Sequence, residues 1–362
     1  MSTGTTSPPQ PCDNAVPFAT SGHTGEPVRW WRTREQLRAE VELLVDTVIG
    51  DVGQVVALAP PEHLFGRLFG VELPRMYGIE VHSAWQDPVV PPAWRPGVPT
   101  LFVCLPASWL PLRSLAPRIA ELPRAVALHS AGPTTPHTRR LVKALRDSPF
   151  EAVELFGSTE TGAVAAREIT PGDAEQGPWS LLPDVVAEVP GQPGGSCRPD
   201  EPWGPGGGGE HRLTVRSGRI ARRDGEDAPP AVWQTGDLVR PAGERRFTFV
   251  GRATRLVKVN GLRCDLGLVE QAVRAALPGL DVVCLPTRDA VRGEHYELVY
   301  AASGSLDPSS LWPRLRRALG DAPLPRSLRR VPHIPRSSTG KPQLHLLTGA
   351  AAPSAGPAGE GS

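Results

Sequence analysis

Lysine is scarce in this chain: of its 39 Lys and Arg residues only Lys143, Lys258 and Lys341 are lysines. Arg and Lys are not interchangeable where a compact ammonium must sit between anions, so a retained lysine is a candidate for chemistry. Lys341 ends the turn sequence STGK, and Lys258 lies in VKVNG. Near the other end, Thr20–Gly25 reads TSGHTG. Its glycines, Gly22 and Gly25, let backbone amides approach phosphate oxygens, and the hydroxyls of Thr20, Ser21 and Thr24 add neutral donors. The loop lacks the Gly-Lys-Ser/Thr ending of a P-loop and, taken alone, reads as an ordinary Gly/Ser turn. Glu160 follows Gly157, Ser158 and Thr159, and Asp237 ends a Thr-Gly-Asp segment expected to be a tight turn. In isolation the first is a surface glutamate and the second an Asx-turn.

Taken together and in order, these segments resemble the acyl-adenylate-forming superfamily of acyl-CoA synthetases, peptide-synthetase adenylation domains and luciferases. TSGHTGEPVR (20–29) resembles the phosphate loop, PPEHLFG (60–66) the acyl-pocket segment, and HSAGPTTP (129–136) the loop beside adenine. ELFGSTETG (154–162), WQTGDLV (233–239), GRATRLVKVNGLRCDLGLVE (251–270) and PRSSTGKPQ (335–343) are similar to the later motifs. The resemblance implies that Ser130, Ala131, Gly132 and Phe156 flank adenine, and that Gly157, Ser158 and Thr159 lead into Glu160. Glu160 is implied to hold Mg2+ on the ATP phosphates, a role that suits a hard oxygen ligand. Asp237 is implied to accept the ribose hydroxyls, and Arg252 to bind ribose or phosphate. Lys341 is implied to stabilise the charge that gathers as a carboxylate attacks the α-phosphate. Lys258 and Gly261 then serve the thiol channel, Thr254 is the hinge, and His63, Phe65 and Gly162 line the acyl pocket.

The elements that must position these residues follow an α/β rhythm. GQVVALAP, PTLFVCLP, RAVALHSAG and EAVELFGS are short apolar runs ending in turn residues, the pattern of buried parallel strands. VPFAT (16–20) reads as a strand, and TREQLRAEVELLVDTVIG (33–50) has helical apolar spacing with a glycine stop. After a Gly/Pro-rich loop (191–210), HRLTVRS, AVWQTGDLV and RRFTFVG read as strands. The expected fold is α/β: a truncated adenylate-forming large domain, with a parallel sheet, helices and a small β-rich region, followed by a small α+β C-terminal lid. The expected divisions are a disordered leader (1–15), an AMP-binding domain (16–250), a mobile lid (251–349) and a disordered tail (350–362).

The formal net charge of +1 gives no electrostatic footprint for nucleic acid or anionic lipid. With no apolar run of membrane-spanning length and no signal-peptide pattern at the N-terminus, the protein is expected to be cytoplasmic. Cys12, Cys104, Cys197, Cys264 and Cys284 show neither zinc nor redox spacing and read as reduced, structural thiols.

Three departures from the family pattern stand out. Val28 replaces the phosphate-loop lysine, with Arg29 beside it; Thr254 replaces the acidic hinge residue; and only 17 residues precede Phe18, where longer relatives carry a further N-terminal subdomain. The chain therefore resembles the short branch of the superfamily, which includes the coumarate-type ligases that activate the photoactive yellow protein chromophore. A homo-oligomer or a partner chain is expected to compensate for the missing wall. EHLFG has no aspartate to pair an α-amine, which disfavours amino acids. His63 and Phe65 suit an aryl acid such as a hydroxycinnamate. The implied cosubstrates and cofactor are ATP, Mg2+ and CoA, with the phosphopantetheine arm of a carrier protein as the second candidate acceptor. Nitrite activation of the diazotase type and a non-catalytic nucleotide-binding partner remain as competing functions.

Overall fold

The computed structural model describes residues 14–20, 28–86, 92–171, 177–188, 209–259, 262–289, 293–302, 308–337 and 340–348. Ser21, Gly22, Thr24, Gly25 and Gly261 lie outside the described residues, as do Cys12, Cys197, most of 191–210, residues 1–13 and residues 349–362. The chain divides into two units, whose bodies are Pro27–Val250 and Gly251–Ser337.

The larger unit begins with a hairpin of β1 (Ala15–Thr20) and β2 (Val28–Thr33), then α1 (Arg34–Leu44) and β3 (Gln54–Ala57). It continues through α2 (Leu64–Arg67), α3 (Leu73–Tyr77), β4 (Glu80–Ser83), β5 (Thr100–Cys104), α4 (Trp109–Ser114), α5 (Ala116–Ala120), β6 (Ala125–His129) and α6 (Pro136–Ala144). The hairpin of β7 (Phe150–Ser158) and β8 (Gly162–Glu168) follows, then β9 (Trp179–Leu181), β10 (Val186–Glu188), β11 (His211–Arg216), β12 (Arg222–Arg223), β13 (Trp233–Pro241) and β14 (Arg246–Arg252).

Alternation along the parallel strands builds a core on each face of the sheet. Val55, Leu101, Val103, Val126 and Leu128 join one cluster with Leu37, Val41 and Leu44 of α1. Their neighbours Val56, Phe102, Cys104 and Ala127 join another with Trp109 and Leu141. Every residue of β3, β5 and β6 is buried, which explains why these strands read as continuous apolar runs. Helix α1 starts in a capping box: Thr33 Oγ1 accepts the Gln36 amide at 3.1 Å, and Gln36 Oε1 accepts the Thr33 amide at 3.1 Å. Leu37, Val41 and Leu44 share one face, and burying each contributes about 2 kcal/mol. The helix expected over 33–50 ends at Leu44, where Val45–Ile49 widens into a π-turn closed by Gly50 at φ 68°.

The expected parallel sheet and β-rich region are parts of one eleven-stranded sheet, β10-β11-β13-β14-β9-β8-β7-β6-β5-β3-β4, with the β7–β8 hairpin joining its parallel and antiparallel parts. One expectation changes. Thr235-Gly236-Asp237 is not a tight turn but lies inside β13, where Thr235, Asp237 and Val239 alternate inward. A Gly-Asp pair signals a turn locally, but burial of every second residue holds this stretch extended. Among the described residues, β1, β2 and β12 form a separate three-stranded sheet.

The smaller unit contains the hairpin of β15 (Leu256–Val259) and β16 (Leu262–Asp265), then α7 (Leu266–Ala276), β17 (Leu280–Asp289), β18 (Gly293–Ala302), α8 (Pro308–Leu319), β19 (Ser327–Arg330) and α9 (His345–Thr348). Asp265 caps α7 by accepting the Gly267 and Leu268 amides at 2.7 and 3.3 Å. Val269, Val273, Leu311 and Leu315 pack on Val282, Leu298 and Tyr300 of the three-stranded sheet β17-β18-β19. Among the described residues no helix is long and apolar enough to cross a membrane.

Candidate active site

In an open α/β sheet, loops beyond the carboxyl ends of the parallel strands are where ligands bind. Adjacent strands β6 and β7 deliver two candidate segments to that edge. After β6, Ser130 Oγ donates to the Leu155 carbonyl of β7 at 3.2 Å. Ala131 adopts φ 71°, a left-handed conformation that costs a non-glycine residue roughly 1 kcal/mol or more. The buried His129 clamps this bend: Trp109 Nε1–H donates to Nδ1 at 3.0 Å, so Nε2 carries the proton and donates to the Gly132 carbonyl at 2.8 Å. Burial lowers the His129 pKa to about 4, which keeps the ring neutral as this tautomer requires. Gly132 sits close under Pro106, and a Cβ there would come 3.0 Å from the proline ring.

At the end of β7, Phe156 is half-buried among aromatic rings, edge-on to Trp179 and Phe247 at 5.2 and 5.4 Å and tilted against Phe249 at 5.9 Å. Arg167 stacks on the Trp179 ring at 4.1 Å and ion-pairs the buried Glu154 at 2.6 Å. The turn that follows is tight. A Cβ on Gly157 would lie 2.1 Å from the Gly162 carbonyl, and Gly162 has φ 72°. The Ser158 amide donates to Thr161 Oγ1 at 3.2 Å, and the Thr161 amide to Ser158 Oγ at 3.3 Å. The Glu160 carbonyl accepts the Ala221 amide at 2.7 Å. Among the described residues no hydrogen bond or ion pair takes the Glu160 carboxylate, which lies within electrostatic reach of the Arg32 guanidinium. The donors on this turn, the Glu160 carboxylate and the hydroxyls of Ser158 and Thr159, are all oxygens and fit a hard divalent ion. Among the described residues no group of three or more His, Cys, Asp or Glu side chains is placed to hold a metal ion.

The β1–β2 hairpin closes the base of the Thr20–Gly25 segment: Thr20 pairs with Val28, and its hydroxyl donates to the Val28 carbonyl at 3.2 Å. Asp237 is buried in β13, and its amide donates to Thr235 Oγ1 at 3.2 Å. In the acyl-pocket segment, His63 precedes the first residue of α2 and is half-buried, while Phe65 meets Phe69 edge-on at 5.3 Å. Gly66 lies against the backbone, where a Cβ would fall 2.0 Å from the Pro60 carbonyl. Gly162 packs on the Glu40 carboxylate, 2.6 Å from where a Cβ would stand.

The smaller unit carries the other candidates. Arg252, Thr254, Lys258 and Lys341 are all exposed. Lys258 donates its amide to Glu294 at 2.9 Å. Lys341 ends a turn in which its carbonyl accepts the Ser337 amide at 2.8 Å and its amide donates to Ser337 Oγ at 3.2 Å, with Gly340 at φ 80°. Arg255, beside Thr254, pairs with Glu270, whose Oε1 also accepts the Cys284 amide at 2.7 Å. Cys104, Cys264 and Cys284 are free, buried thiols, and burial raises the pKa of each.

Sequence reasoning missed His129 and a buried charge network of Arg32, Glu40 and Arg219 beneath the Glu160 turn. The one sequence trace of the network is Glu40, which interrupts the apolar stripe of α1 between Leu37 and Val41.

No family model matches the chain. Among curated proteins, it is 32% identical over 199 residues to a phenyloxazoline synthase of Mycolicibacterium paratuberculosis, covering 52% of this chain and 17% of that one. It is 31% identical over 194 residues to a 4-coumarate–CoA ligase of Halorhodospira halophila, covering 48% and 45%. The chain thus spans less than half the length of these relatives. Among solved structures, an anthranilate–CoA ligase bound to anthranoyl-AMP matches with TM-score 0.67 at 16% identity, over 92% of this chain and 66% of that one. The o-succinylbenzoate–CoA synthetase of Bacillus subtilis with ATP and magnesium matches with TM-score 0.66 at 16% identity, over 92% and 69%. In sequence the chain is similar to 4-coumarate–CoA ligase and phenyloxazoline synthase, and its fold is that of solved acyl-CoA ligases.

Proposed function

We propose that the chain is an AMP-forming acid–thiol ligase: it activates a small carboxylic acid with ATP and transfers the acyl group to CoA. The observation that carries this reading is the pairing of the Ser130–Gly132 bend with the Glu160 turn, at the carboxyl ends of adjacent parallel strands. The similarity to CoA ligases supports the same chemistry.

In the first half-reaction a carboxylate oxygen attacks the α-phosphorus, and the bond to the bridging oxygen of pyrophosphate breaks. The Thr20–Gly25 segment donates backbone and hydroxyl hydrogens to the phosphates, Phe156 and Ser130–Gly132 flank adenine, and Asp237 and Arg252 engage the ribose. Magnesium, when bound, neutralises charge on the phosphates, and Glu160 is the residue that would hold it. Lys341 supplies an ammonium to the charge that develops at the α-phosphate, where one preorganised donor is worth about 3–4 kcal/mol. In the second half-reaction the thiol sulfur attacks the acyl carbonyl, AMP departs and the thiol proton is released. Lys258 and Gly261 serve the approach of the thiol, and residues 251–349, which carry both Lys258 and Lys341, act as the mobile lid that exchanges the two duties about Thr254.

The acid is proposed to be aryl. Phe65, half-buried and edge-on to the core residue Phe69, is the aromatic residue proposed to meet the ring of the acid. A hydroxycinnamate is the aryl acid proposed, and similarity to a 4-hydroxybenzoate/benzoate–CoA ligase is in keeping with an aryl acid. The phosphopantetheine thiol of a carrier protein is the second reading for the acceptor, favoured by similarity to phenyloxazoline synthase and to a linear gramicidin synthase of Brevibacillus parabrevis. Pyrophosphate release measured over a panel of aryl acids, alkanoates and nitrite, followed by mass analysis with CoA and with a holo carrier protein, tests both halves. Aryl acids should release pyrophosphate fastest and CoA should trap the acyl group. Equal rates with short alkanoates would remove the aryl assignment, and acylation of the carrier alone would replace the acceptor.

A further inference from the structure

Beneath the Glu160 turn lies a chain of four alternating charges, Arg32, Glu40, Arg219 and Asp184. Arg32, at the inward face of β2, is fully buried. Its Nε and one terminal nitrogen both donate to the Thr159 carbonyl, at 3.3 and 3.2 Å, and its other terminal nitrogen bonds Glu40 Oε2 at 3.2 Å. Glu40, on α1, uses Oε1 to accept the Ala163 amide at 2.7 Å and to ion-pair Arg219 at 3.3 Å. Arg219 in turn grips Asp184 through two bonds of 2.7 and 2.8 Å. Two residues on, the Ala221 amide holds the Glu160 carbonyl at 2.7 Å.

Stability alone does not account for this arrangement, because replacing a buried ion pair by apolar side chains is often neutral or stabilising. The contacts are selective. They end on backbone atoms of one segment, the carbonyls of residues 159 and 160 and the amide of residue 163, and the Arg32 charge reaches the Glu160 carboxylate only electrostatically, without a hydrogen bond or ion pair. A guanidinium with two donors on one carbonyl fixes that peptide more tightly than a single ammonium donor does. The Gly162 backbone is pressed onto the same Glu40 carboxylate.

We infer that Arg32, backed by Glu40, is a positioning residue: it fixes the Thr159–Ala163 turn so that the Glu160 carboxylate is preset for the divalent ion of a metal–nucleotide complex. The inference rests on the reading of Glu160 given above. Residues that orient a metal ligand typically change metal affinity by roughly 10–100-fold when altered. The test is calorimetric binding of a non-hydrolysable ATP analogue to the full chain, with Mg2+ and with EDTA, so that the ratio of the two dissociation constants isolates the metal contribution. Arg32→Lys keeps the charge but loses the forked grip and should cut that ratio about tenfold, leave binding in EDTA unchanged and keep the unfolding midpoint near that of the wild type. Glu160→Gln should abolish the metal contribution. If Arg32→Lys does not fold, Glu40→Gln, which retains the acceptor for Ala163, serves in its place with the same expected loss. A wild-type ratio in Arg32→Lys alongside a lost one in Glu160→Gln would overturn the positioning role alone. A wild-type ratio in both would overturn the Glu160 reading and the inference with it.

Discussion

A neutral imidazole is what holds the bend after β6. His129 accepts from Trp109 and donates to Gly132, and a second ring proton would break the first of these bonds. Because burial lowers its pKa to about 4, below an unfolded value near 6.5, the unfolded chain takes up a proton that the native one refuses as pH falls between those values. The contribution is fully present above pH 6.5 and is lost on acidification toward pH 4. Between pH 7 and pH 5 this residue should remove about 2 kcal/mol of stability. Urea unfolding at the two pH values measures this, and His129→Gln should lack that part of the loss. An unchanged pH dependence in the variant would mean that another group carries it. Neither this role nor the buried Arg32 grip was legible in the sequence. A histidine after an apolar strand and an arginine in VRWWRT carry no periodic signal, and only the partners they meet across the fold, Trp109 and Thr159, define what they do.

Strand β7, strand β8 and their connection behave as one element whose glycines are set by contact. A methyl group at Gly157 would overlap the Gly162 carbonyl at 2.1 Å and the Ala163 Cα at 2.9 Å, backbone atoms with no rotamer to yield. Gly157→Ala should therefore cost about 2–3 kcal/mol and lower the thermal midpoint by roughly 5–10 °C. Gly218→Ala, where nothing lies within 4 Å, should leave the midpoint unchanged. Calorimetric scans of both variants check the pair. At this scale the sequence was most informative where burial is two-sided, in β3, β5 and β6; these and β7 stand as parallel neighbours, as their apolar runs implied. It was least informative at the margins. Strand β4, EVHS, is a mostly exposed edge, and in β2 a buried arginine takes a place where an apolar residue would have signalled a strand. The Thr-Gly-Asp stretch misled because local turn chemistry lost to the inward packing of Thr235 and Asp237 along β13.

Across the whole molecule, the larger unit carries the Ser130–Gly132 bend and the Glu160 turn, and the smaller one carries Lys258 and Lys341, two of the three lysines in the chain. Lys341 and Lys258 are exposed in their own unit, so removing either ammonium should alter chemistry rather than folding. The separate duties proposed for them are distinguishable. Lys341→Ala should slow formation of the acyl-adenylate, whereas Lys258→Ala should slow thiol transfer from preformed acyl-AMP. The most direct measurement is acid-dependent exchange of labelled pyrophosphate into ATP, for the wild type and for Lys341→Ala at matched folding. The expected result is exchange that requires a carboxylic acid and falls roughly 100-fold to 1,000-fold in the variant. ATP binding with no acid-dependent exchange, or equal exchange in the two proteins, would contradict it.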